Sequence, residues 1–355
     1  MNKKLLIFSP GSSSGGGIHT VVSNHILFFQ NKNIPFEVVE TSGANVYRKI
    51  LRLFICFFVL IKLFFLKEKV LCLFHVASGN SFYRKYLIIY LSNKILGYEY
   101  FIHLHGGMFK EFYSKSNDFS KNKIREAFRN SKGIVVLSQS WKDWMVSTIC
   151  SENVHVVPNS ITVDPKSNLS DLDENVRDID LLFVGRVEVA KGICELLQVV
   201  KQDYFLDKNI VLAGRVFLQP ESVFLSENVT LLGQQPSSEI YNLMRKAKVL
   251  VLPSHYEAFP LVILEAMYSG AICVCSDVGS IPEIITDNLN GFLFPVKNQE
   301  ELDKKIRHIL DNYSESTFIR DEAFRLVTSK YSLELNMNCL ISLYFPSEGS
   351  YVSLD

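Results

Sequence analysis

A chain of 355 residues is longer than a single hydrophobic core usually supports, so its length predicts two domains. Apolar residues make up 48% of the chain and charged residues 21%, which excludes a disordered protein. Lys plus Arg equals Asp plus Glu at 37 each, which argues against a nucleic-acid-binding protein held by bulk charge.

The N-terminus and the cysteines both favour a cytosolic protein. The apolar run of residues 4–8 is cut short by SPGSSSGGG, so it predicts a first buried strand rather than the apolar core of a signal peptide. The seven cysteines are odd in number and lack metal-type spacing. Cys273 and Cys275 alternate along one apolar strand and are interpreted as core residues, which suits a reducing compartment.

A glycine-rich turn, SPGSSSGGGIHT, follows the first strand and opens a helix. The backbone N–H groups of such a turn are suited to binding an anion. A dinucleotide fingerprint would need glycine where Thr20 stands, and a P-loop would need lysine where Gly17 stands. The turn therefore supports neither an NAD enzyme nor an NTPase, and a flexible turn without a ligand stays open.

The segment 49–69, KILRLFICFFVLIKLFFLKEK, is apolar nearly all round and carries five basic residues. Its apolar core of about 17 residues is short for a membrane span of about 20. Two interpretations stay open: a crossover helix buried against the sheet, and a helix lying in the interface of an anionic membrane leaflet. The next stretch, SFYRKYLIIYLSNKILGYEY, has the same basic and aromatic texture, which favours membrane contact.

The stretch YEYFIHLHGG predicts a strand that ends with His103 and His105 on the same side. A zinc pair is one interpretation, although no Asp, Glu or Cys follows at ligand spacing. We expect His105 at the edge of a ligand cleft, bonded to a sugar hydroxyl or a phosphate. For His103 we expect a buried structural role.

Strands alternate with helices in both halves of the chain, which is typical of parallel βαβ units. The predicted fold is α/β, with two Rossmann-like, doubly wound domains facing each other across a cleft. We expect an N-terminal domain over 1–165, a second domain over 178–335, and a C-terminal segment, 336–355, that packs back on the first domain.

The polar, acidic stretch 164–180 is predicted to link the two domains. It contains or borders two Asp-x-Asp pairs, Asp171 with Asp173 and Asp178 with Asp180. Neither pair follows a cleft strand, so both are interpreted as solvated charge rather than as a metal site.

The stretch FVGRVEVAKG places Arg186 and Lys191 just past the end of a predicted strand. In a parallel sheet this is where a ligand lies. Arg offers a fork suited to phosphate oxygens and Lys offers a point charge. The two cations therefore predict a phosphate site, against the alternative of a surface pair without a role.

The stretch SHYEAFPLVILEAMYSG places Glu257 on a loop and Glu265 about a turn and a half into the helix that follows. Pro260 suits the first turn of this helix. Acids beside a phosphate would repel it, so we expect them to accept hydrogen bonds from the hydroxyls of a sugar and a ribose. An acid/base pair for glycoside hydrolysis is the rival interpretation.

The motifs FVGRVEVAKG, VLVLPSHYEAFPLVILEAMYSGAICVCSDVGSIPEII and NGFLFP resemble the second domain of the family 4 retaining glycosyltransferases, which have the GT-B fold. The glycine-rich turn and HLHGG resemble the first domain of that family. The resemblance covers most of the chain and is weakest from about 40 to 100, where acceptor recognition usually lies.

This resemblance implies a role for each matching residue. Arg186 and Lys191 would hold the donor diphosphate, Glu257 the donor-sugar hydroxyls and Glu265 the ribose hydroxyls, with His105 at the reaction centre. The remaining donor-binding positions would be Gly16, Gly17, Ala258, Phe259, Pro260 and Leu261.

The resemblance also implies a reaction. A sugar would pass with retention from a UDP- or GDP-sugar to a glycan acceptor, without a metal or other cofactor. Together with segment 49–69, it implies a polyprenyl-linked acceptor in O-antigen or capsule synthesis, and an enzyme peripheral on the inner face of the plasma membrane. A soluble acceptor and a GT-B-like nucleotide-sugar epimerase are the alternatives, and no nucleic acid is expected as a partner.

Overall fold

The chain divides into two compact α/β units. The first comprises Met1–Ser160 with Leu333–Asp355, and the second comprises Ile161–Ser332. Each contains a six-stranded sheet in which every pairing is parallel, so the predicted pair of α/β domains is confirmed. The computed structural model describes residues 3–10, 17–43, 45–149, 153–169, 177–218 and 226–346.

The sheet of the first unit has the strand order β2-β1-β3-β4-β5-β6. Its strands are short and mostly apolar, as expected of strands covered on both faces. They are β1 (Lys4–Ser9), β2 (Phe36–Glu40), β3 (Val70–Val76), β4 (Glu99–Leu104), β5 (Gly133–Val136) and β6 (Val154–Val156). The helices are α1 (Gly17–Asn31), α2 (Val46–Phe65), α3 (Asn80–Tyr90), α4 (Phe109–Lys115), α5 (Asp118–Arg129), α6 (Gln139–Ile149) and α13 (Leu333–Tyr344).

Successive residues of β1 enter two different cores, because side chains alternate across a strand. Leu6 and Phe8 pack in the core that includes residues of α2, α3, α5 and α6. Leu5 and Ile7 pack in the opposite core, which includes residues of α1 and of the C-terminal α13. The first sheet is therefore covered by helices on both faces.

Helix α2 corresponds to the basic, apolar segment. The Asn45 side chain caps it by accepting a hydrogen bond of 2.9 Å from the backbone N–H of Arg48. Three of its residues, Cys56, Leu60 and Leu63, are buried in the core of the first unit. None of the helices in the described part of the chain is both long and apolar enough to cross a membrane.

The opposite face of α2 is apolar and exposed to solvent. Its residues at positions 47, 54, 58, 61 and 65 recur at helical spacing, so they form a single stripe. The most exposed are Tyr47 at 74%, Phe54 at 64%, Phe58 at 69% and Phe65 at 76%. Helix α2 thus packs on the sheet, as the interpretation of a crossover helix predicted. Its exposed apolar stripe is also compatible with the interpretation of a helix in the membrane interface.

The sheet of the second unit has the strand order β12-β11-β10-β7-β8-β9. Cys273 and Cys275 of β11 are free and fully buried, which confirms them as core residues. The strands are β7 (Ile179–Val184), β8 (Ile210–Ala213), β9 (Val229–Gly233), β10 (Ala247–Leu252), β11 (Ile272–Ser276) and β12 (Phe292–Phe294). The helices are α7 (Ile193–Val199), α8 (Ser237–Lys246), α9 (Leu261–Tyr268), α10 (Ile281–Ile284), α11 (Gln299–Asp311) and α12 (Thr317–Lys330).

The interpretation of Asp180 as solvated charge is wrong. Asp180 is the second residue of β7, and its carboxylate lies 2.7 Å from the Lys248 ammonium, with 15% of its side chain exposed. It also accepts a hydrogen bond of 2.8 Å from the backbone N–H of Asn209. Asp180 therefore ties strand β7 to its neighbours, while Asp171 and Asp173 lie outside the described residues.

Candidate functional site

The second unit brings Lys191 and Glu257 together at the carboxyl edge of its sheet. Lys191 ends a short 3₁₀ turn after β7, and Glu257 lies on the loop after β10. Because β7 and β10 are parallel neighbours, their carboxyl ends lie side by side. The Lys191 ammonium is 2.5 Å from a Glu257 carboxylate oxygen, and 17% and 11% of the two side chains are exposed.

Two glycines allow the backbones around this pair to approach closely. Gly192 has a φ of 68°, and a Cβ added there would lie 1.8 Å from the carbonyl oxygen of Pro253. Gly279 has a φ of 61°, and its added Cβ would lie 2.0 Å from the carbonyl oxygen of Glu257. Any side chain at either position would push the loops apart, so both glycines are required for the geometry of the pair.

Ser254 is a member of this site that the sequence did not reveal. Its buried hydroxyl donates a 2.8 Å hydrogen bond to the same Glu257 oxygen that faces Lys191. One carboxylate oxygen is therefore held by two donors, and the other has no donor among the described residues. The signal was weak because serine before such a motif is equally typical of a plain turn.

Arg186 lies closer to solvent than Lys191 does. It lies two residues after the end of β7, with 55% of its side chain exposed, and its guanidinium is 2.8 Å from the Glu188 carboxylate. Its guanidinium carbon is 5.9 Å from the centre of the Phe217 ring. The site thus has one cation fixed by Glu257 and a second, more exposed cation that can reorient.

Glu265 is the fifth residue of α9, one turn beyond the Glu257 loop. Within the described part of the chain no residue donates a hydrogen bond to its carboxylate. Burial raises the pKa of Glu265 to about 7, because desolvation disfavours the charged form. A ligand that donates hydrogen bonds to the carboxylate would stabilise that charged form and lower the pKa again.

Pro260 lies just before helix α9 and not in its first turn, where we expected it. Pro260 is the N-cap residue, and the helix begins one residue later at Leu261, with no side-chain hydrogen bond at the cap. The Phe259 side chain is 5% exposed and its ring lies 5.6 Å from the Tyr331 ring. Phe259 therefore anchors the loop inward, and its ring is not available to a ligand.

The first unit contributes a group of histidines at its sheet. His105 follows β4, and its Nε2 lies 2.8 Å from Nδ1 of His75 on β3. Burial lowers the pKa of both imidazoles well below 6.5, so both are neutral at pH 7. His105 is only 7% exposed, so it is more deeply placed than the open cleft edge that we expected.

His103 is buried, as expected, and its ring centre lies 4.2 Å from that of His105. Both of its ring nitrogens are buried without a hydrogen-bond partner among the described residues. One nitrogen each of His25, His75 and His103 lies within 4.8 Å of the others, so these three could hold a metal ion. The zinc pair considered from sequence, His103 with His105, shares only His103 with this group of three.

The remaining predicted residues of the first unit lie at the start of α1. Gly17 is its first residue, and no atom of the described residues lies within 4 Å of a Cβ added there. Gly16 lies outside the described residues.

Not all of the basic residues in the stretch SFYRKY face solvent. Lys85 is 1% exposed, so it is not one of the membrane-facing cations that the sequence suggested. Spacing along α3 could have shown this, since Lys85 is flanked at helical intervals by the buried Phe82, Ile88 and Ile89.

Most of the second unit matches a known protein family. Residues 166–325 match the family described as "Glycosyl transferases group 1". A Klebsiella pneumoniae protein, "Uncharacterized 41.2 kDa protein in cps region", is 30% identical over 172 residues, 47% of each chain. The "Lipopolysaccharide 1,2-N-acetylglucosaminetransferase" of Salmonella typhimurium is 28% identical over 229 residues, 58% of this chain and 60% of that protein.

The chain spans about half the length of the first curated relatives that it matches. Among solved structures, HepE from Anabaena in complex with UDP and glucose superposes with a TM-score of 0.74 at 16% identity. The alignment covers 96% of this chain and 98% of HepE. At this identity the likeness shows the fold only, which is GT-B.

Proposed function

We propose that this chain, whose residues 166–325 match the group 1 glycosyltransferases, is a family 4 enzyme that moves a sugar from a nucleotide-sugar donor to a glycan acceptor with retention. The observation that carries the proposal is the Lys191–Glu257 pair, with Glu265 one helical turn further on. The Lys191 ammonium suits a diphosphate, the Glu257 carboxylate suits sugar hydroxyls, and the desolvated Glu265 carboxylate suits ribose hydroxyls.

In this proposal, catalysis consists mainly of charge stabilisation and positioning. The bond between the anomeric carbon and the donor phosphate breaks, and the acceptor oxygen bonds to the same face of that carbon. The acceptor proton passes to the leaving diphosphate. Lys191 and Arg186 stabilise the charge on the diphosphate, so no metal is needed for that task.

The other residues have supporting tasks in the same proposal. Glu257 accepts hydrogen bonds from donor-sugar hydroxyls, and Glu265 accepts them from the ribose. His105, which is neutral, is assigned to the reaction centre, and the glycine-rich turn is assigned to the donor phosphates. The alternative is a hydrolytic acid/base pair, and one oxygen of Glu257 is already engaged by the Lys191 ammonium and the Ser254 hydroxyl.

The donor is tested by thermal stabilisation. A nucleotide-sugar at 100 times its Kd should stabilise the folded chain by about 2.7 kcal/mol, which raises Tm measurably. We expect either the UDP-sugars or the GDP-sugars to raise Tm. The UDP-sugars are tested first, because HepE was solved with UDP and glucose. Failure of every UDP- and GDP-sugar to raise Tm or to be turned over would reject the proposed function.

We further propose that the acceptor is linked to a lipid and that the enzyme binds the inner face of an anionic membrane. The exposed stripe on α2 supports this, because aromatic side chains at the interface contribute apolar contact. Lys49, Lys62, Lys67 and Lys69 flank or interrupt that stripe. Arg52 is already paired with Glu40 at 2.6 Å and is not counted among the membrane cations.

Replacing Lys49, Lys62, Lys67 and Lys69 together by Gln should release the protein from anionic vesicles. Each lysine near such a surface contributes about 1 kcal/mol, so the loss should reach about 100- to 1000-fold in partitioning. The measurement is cosedimentation with vesicles of phosphatidylglycerol and phosphatidylcholine at low salt. A matched variant with four exposed lysines of the second unit changed should still sediment, and absence of binding by the wild-type chain would favour a soluble acceptor.

A further inference from the structure

A lysine ammonium group is buried in the first unit without a carboxylate. Lys85 of α3 is 1% exposed, and its Nζ donates a 3.1 Å hydrogen bond to Oγ of Ser81. Among the described residues no Asp or Glu forms an ion pair with it. Burying an ammonium group away from an anion is costly, and a negatively charged ligand near Lys85 would offset part of that cost.

The surroundings of Lys85 are also short of negative charge. Nε of the adjacent Arg84 is buried and has no hydrogen-bond partner within the described ranges. His75 and His105 lie close enough that the Lys85 charge contributes to lowering the pKa of both imidazoles. Burial first, and then the charge of Arg84, lowers the pKa of Lys85 to about 7, and an anion nearby would raise it again.

The buried ammonium is directed to the first turn of α3. Side chains on a helix lean towards its N-terminus, and Ser81 lies one turn before Lys85. Because the Ser81 oxygen accepts from Lys85, its own proton is free to donate outward. Gly79 is the N-cap, with a φ of 65° and no side-chain hydrogen bond, so the first N–H groups of this 11-residue helix are not capped by a side chain.

We propose that this first turn, with Gly79, Asn80, Ser81, Arg84 and Lys85, binds a phosphate group of the acceptor. It is called the α3 phosphate site below. The proposal rests on the proposed glycosyltransferase function and names the chemistry of its acceptor. Asn80 is exposed and Ser81 is partly exposed, so a phosphate can reach the N-terminal N–H groups and the hydroxyl, backed by the buried ammonium.

The position of the α3 phosphate site suits a polyprenyl diphosphate. Helix α3 packs beside α2, the helix with the exposed apolar stripe, and the two share one core. On its other side the site is coupled electrostatically to His105, the residue assigned to the reaction centre. A lipid diphosphate could therefore keep its chain at the membrane while its glycan extends towards His105.

The test compares three probes: inorganic pyrophosphate, farnesyl diphosphate and farnesol. Their Kd values are measured by calorimetry on the full chain, with the nucleotide that stabilises it present at saturation, so that the donor phosphate site is filled. We expect both diphosphates to bind and farnesol to bind at least about 10-fold more weakly than farnesyl diphosphate. Tighter binding of farnesyl diphosphate than of pyrophosphate would show that the bound phosphate belongs to a lipid. Equal binding of the two would show that it belongs to a water-soluble acceptor.

Lys85→Met should weaken both diphosphates about 10- to 100-fold, the effect of losing a charge-assisted interaction. Ser81→Ala should weaken them in the same direction. Lys115→Met, which removes an exposed lysine of α4, is the control and should leave both Kd values unchanged. Because methionine removes a buried charge, Lys85→Met should fold with an equal or higher Tm, so a loss of binding is not a loss of structure.

Two results would overturn the α3 phosphate site: no diphosphate binding by the wild-type chain, or binding that survives both Lys85→Met and Ser81→Ala. Either result leaves the donor measurements untouched, since nucleotide binding in Lys85→Met should equal that of the wild type. If instead no nucleotide binds at all, the proposed function fails, and the diphosphate titrations without nucleotide still report on Lys85.

Discussion

Lys191→Ala is expected to lower turnover by at least about 100-fold, because loss of one preorganised electrostatic donor costs about 100- to 1000-fold in rate. The ammonium is already in place in the free protein, 2.5 Å from Glu257 and with 17% of its side chain exposed. It therefore needs little reorganisation when charge develops on the leaving diphosphate. The measurement is kcat for sugar transfer at saturating donor.

Arg186→Ala should have an effect of similar size, although Arg186 must first leave its contact with Glu188. Lys246→Ala, at an exposed position of α8, is the matched control and should retain normal turnover. Circular dichroism of Lys191→Ala is needed as well, because this change leaves a partly buried Glu257 without its cation. Near-normal rates in both folded variants would remove the phosphate role from this pair.

Glu257→Ala and Glu265→Ala should affect different parts of donor binding, the first the sugar and the second the nucleotide. Lys191 and Ser254 hold one oxygen of Glu257, which fixes the carboxylate for the proposed contact with the sugar. Glu257→Ala should therefore weaken binding of the nucleotide-sugar and leave binding of the free nucleotide nearly unchanged. Glu265 has no donor among the described residues, so its loss should weaken the free nucleotide itself. Each effect should reach about 10- to 100-fold, the range of a hydrogen bond to a charged group.

The measurement is calorimetry with free UDP or GDP and with the matching nucleotide-sugar. Glu300→Ala, at an exposed position of α11, provides the control. Equal losses for both ligands in both variants would show that the two acids do not divide the donor as proposed. Rapid hydrolysis of a simple glycoside that depends on both acids would instead favour the glycosidase interpretation.

Much of the fold was accessible from local pattern. The strands of both sheets are short apolar runs bounded by turn residues, and these runs identify buried parallel strands without any knowledge of the partner strand. The α2 segment was also recognisable as a helix with two apolar faces. What its sequence could not decide was which face meets the sheet, because Cys56 and Leu60 are no more apolar than Phe54 and Phe58.

Charged residues were predicted less well than apolar ones. Asp180 lay beside an acidic linker and was expected in solvent, but Lys248 of the neighbouring β10 pairs with it. Lys85 lay in a basic, aromatic stretch and was expected at the surface, but it is buried beneath Ser81. In both cases the partner or the cover comes from tertiary packing, which the local composition does not contain.

The sequence by itself determined the kinds of groups at the site and the order in which they occur. Cations follow one strand, acids follow another, and a helix begins between the two acids, because hydrophobic periodicity and turn residues act over a few positions. Only the tertiary structure decided which of these groups meet. Strand order places β7 beside β10, so Lys191 reaches Glu257 across 66 positions of sequence. Burial, which depends on that same packing, then set the neutral state of His105, the raised pKa of Glu265 and the anion-deficient surroundings of Lys85.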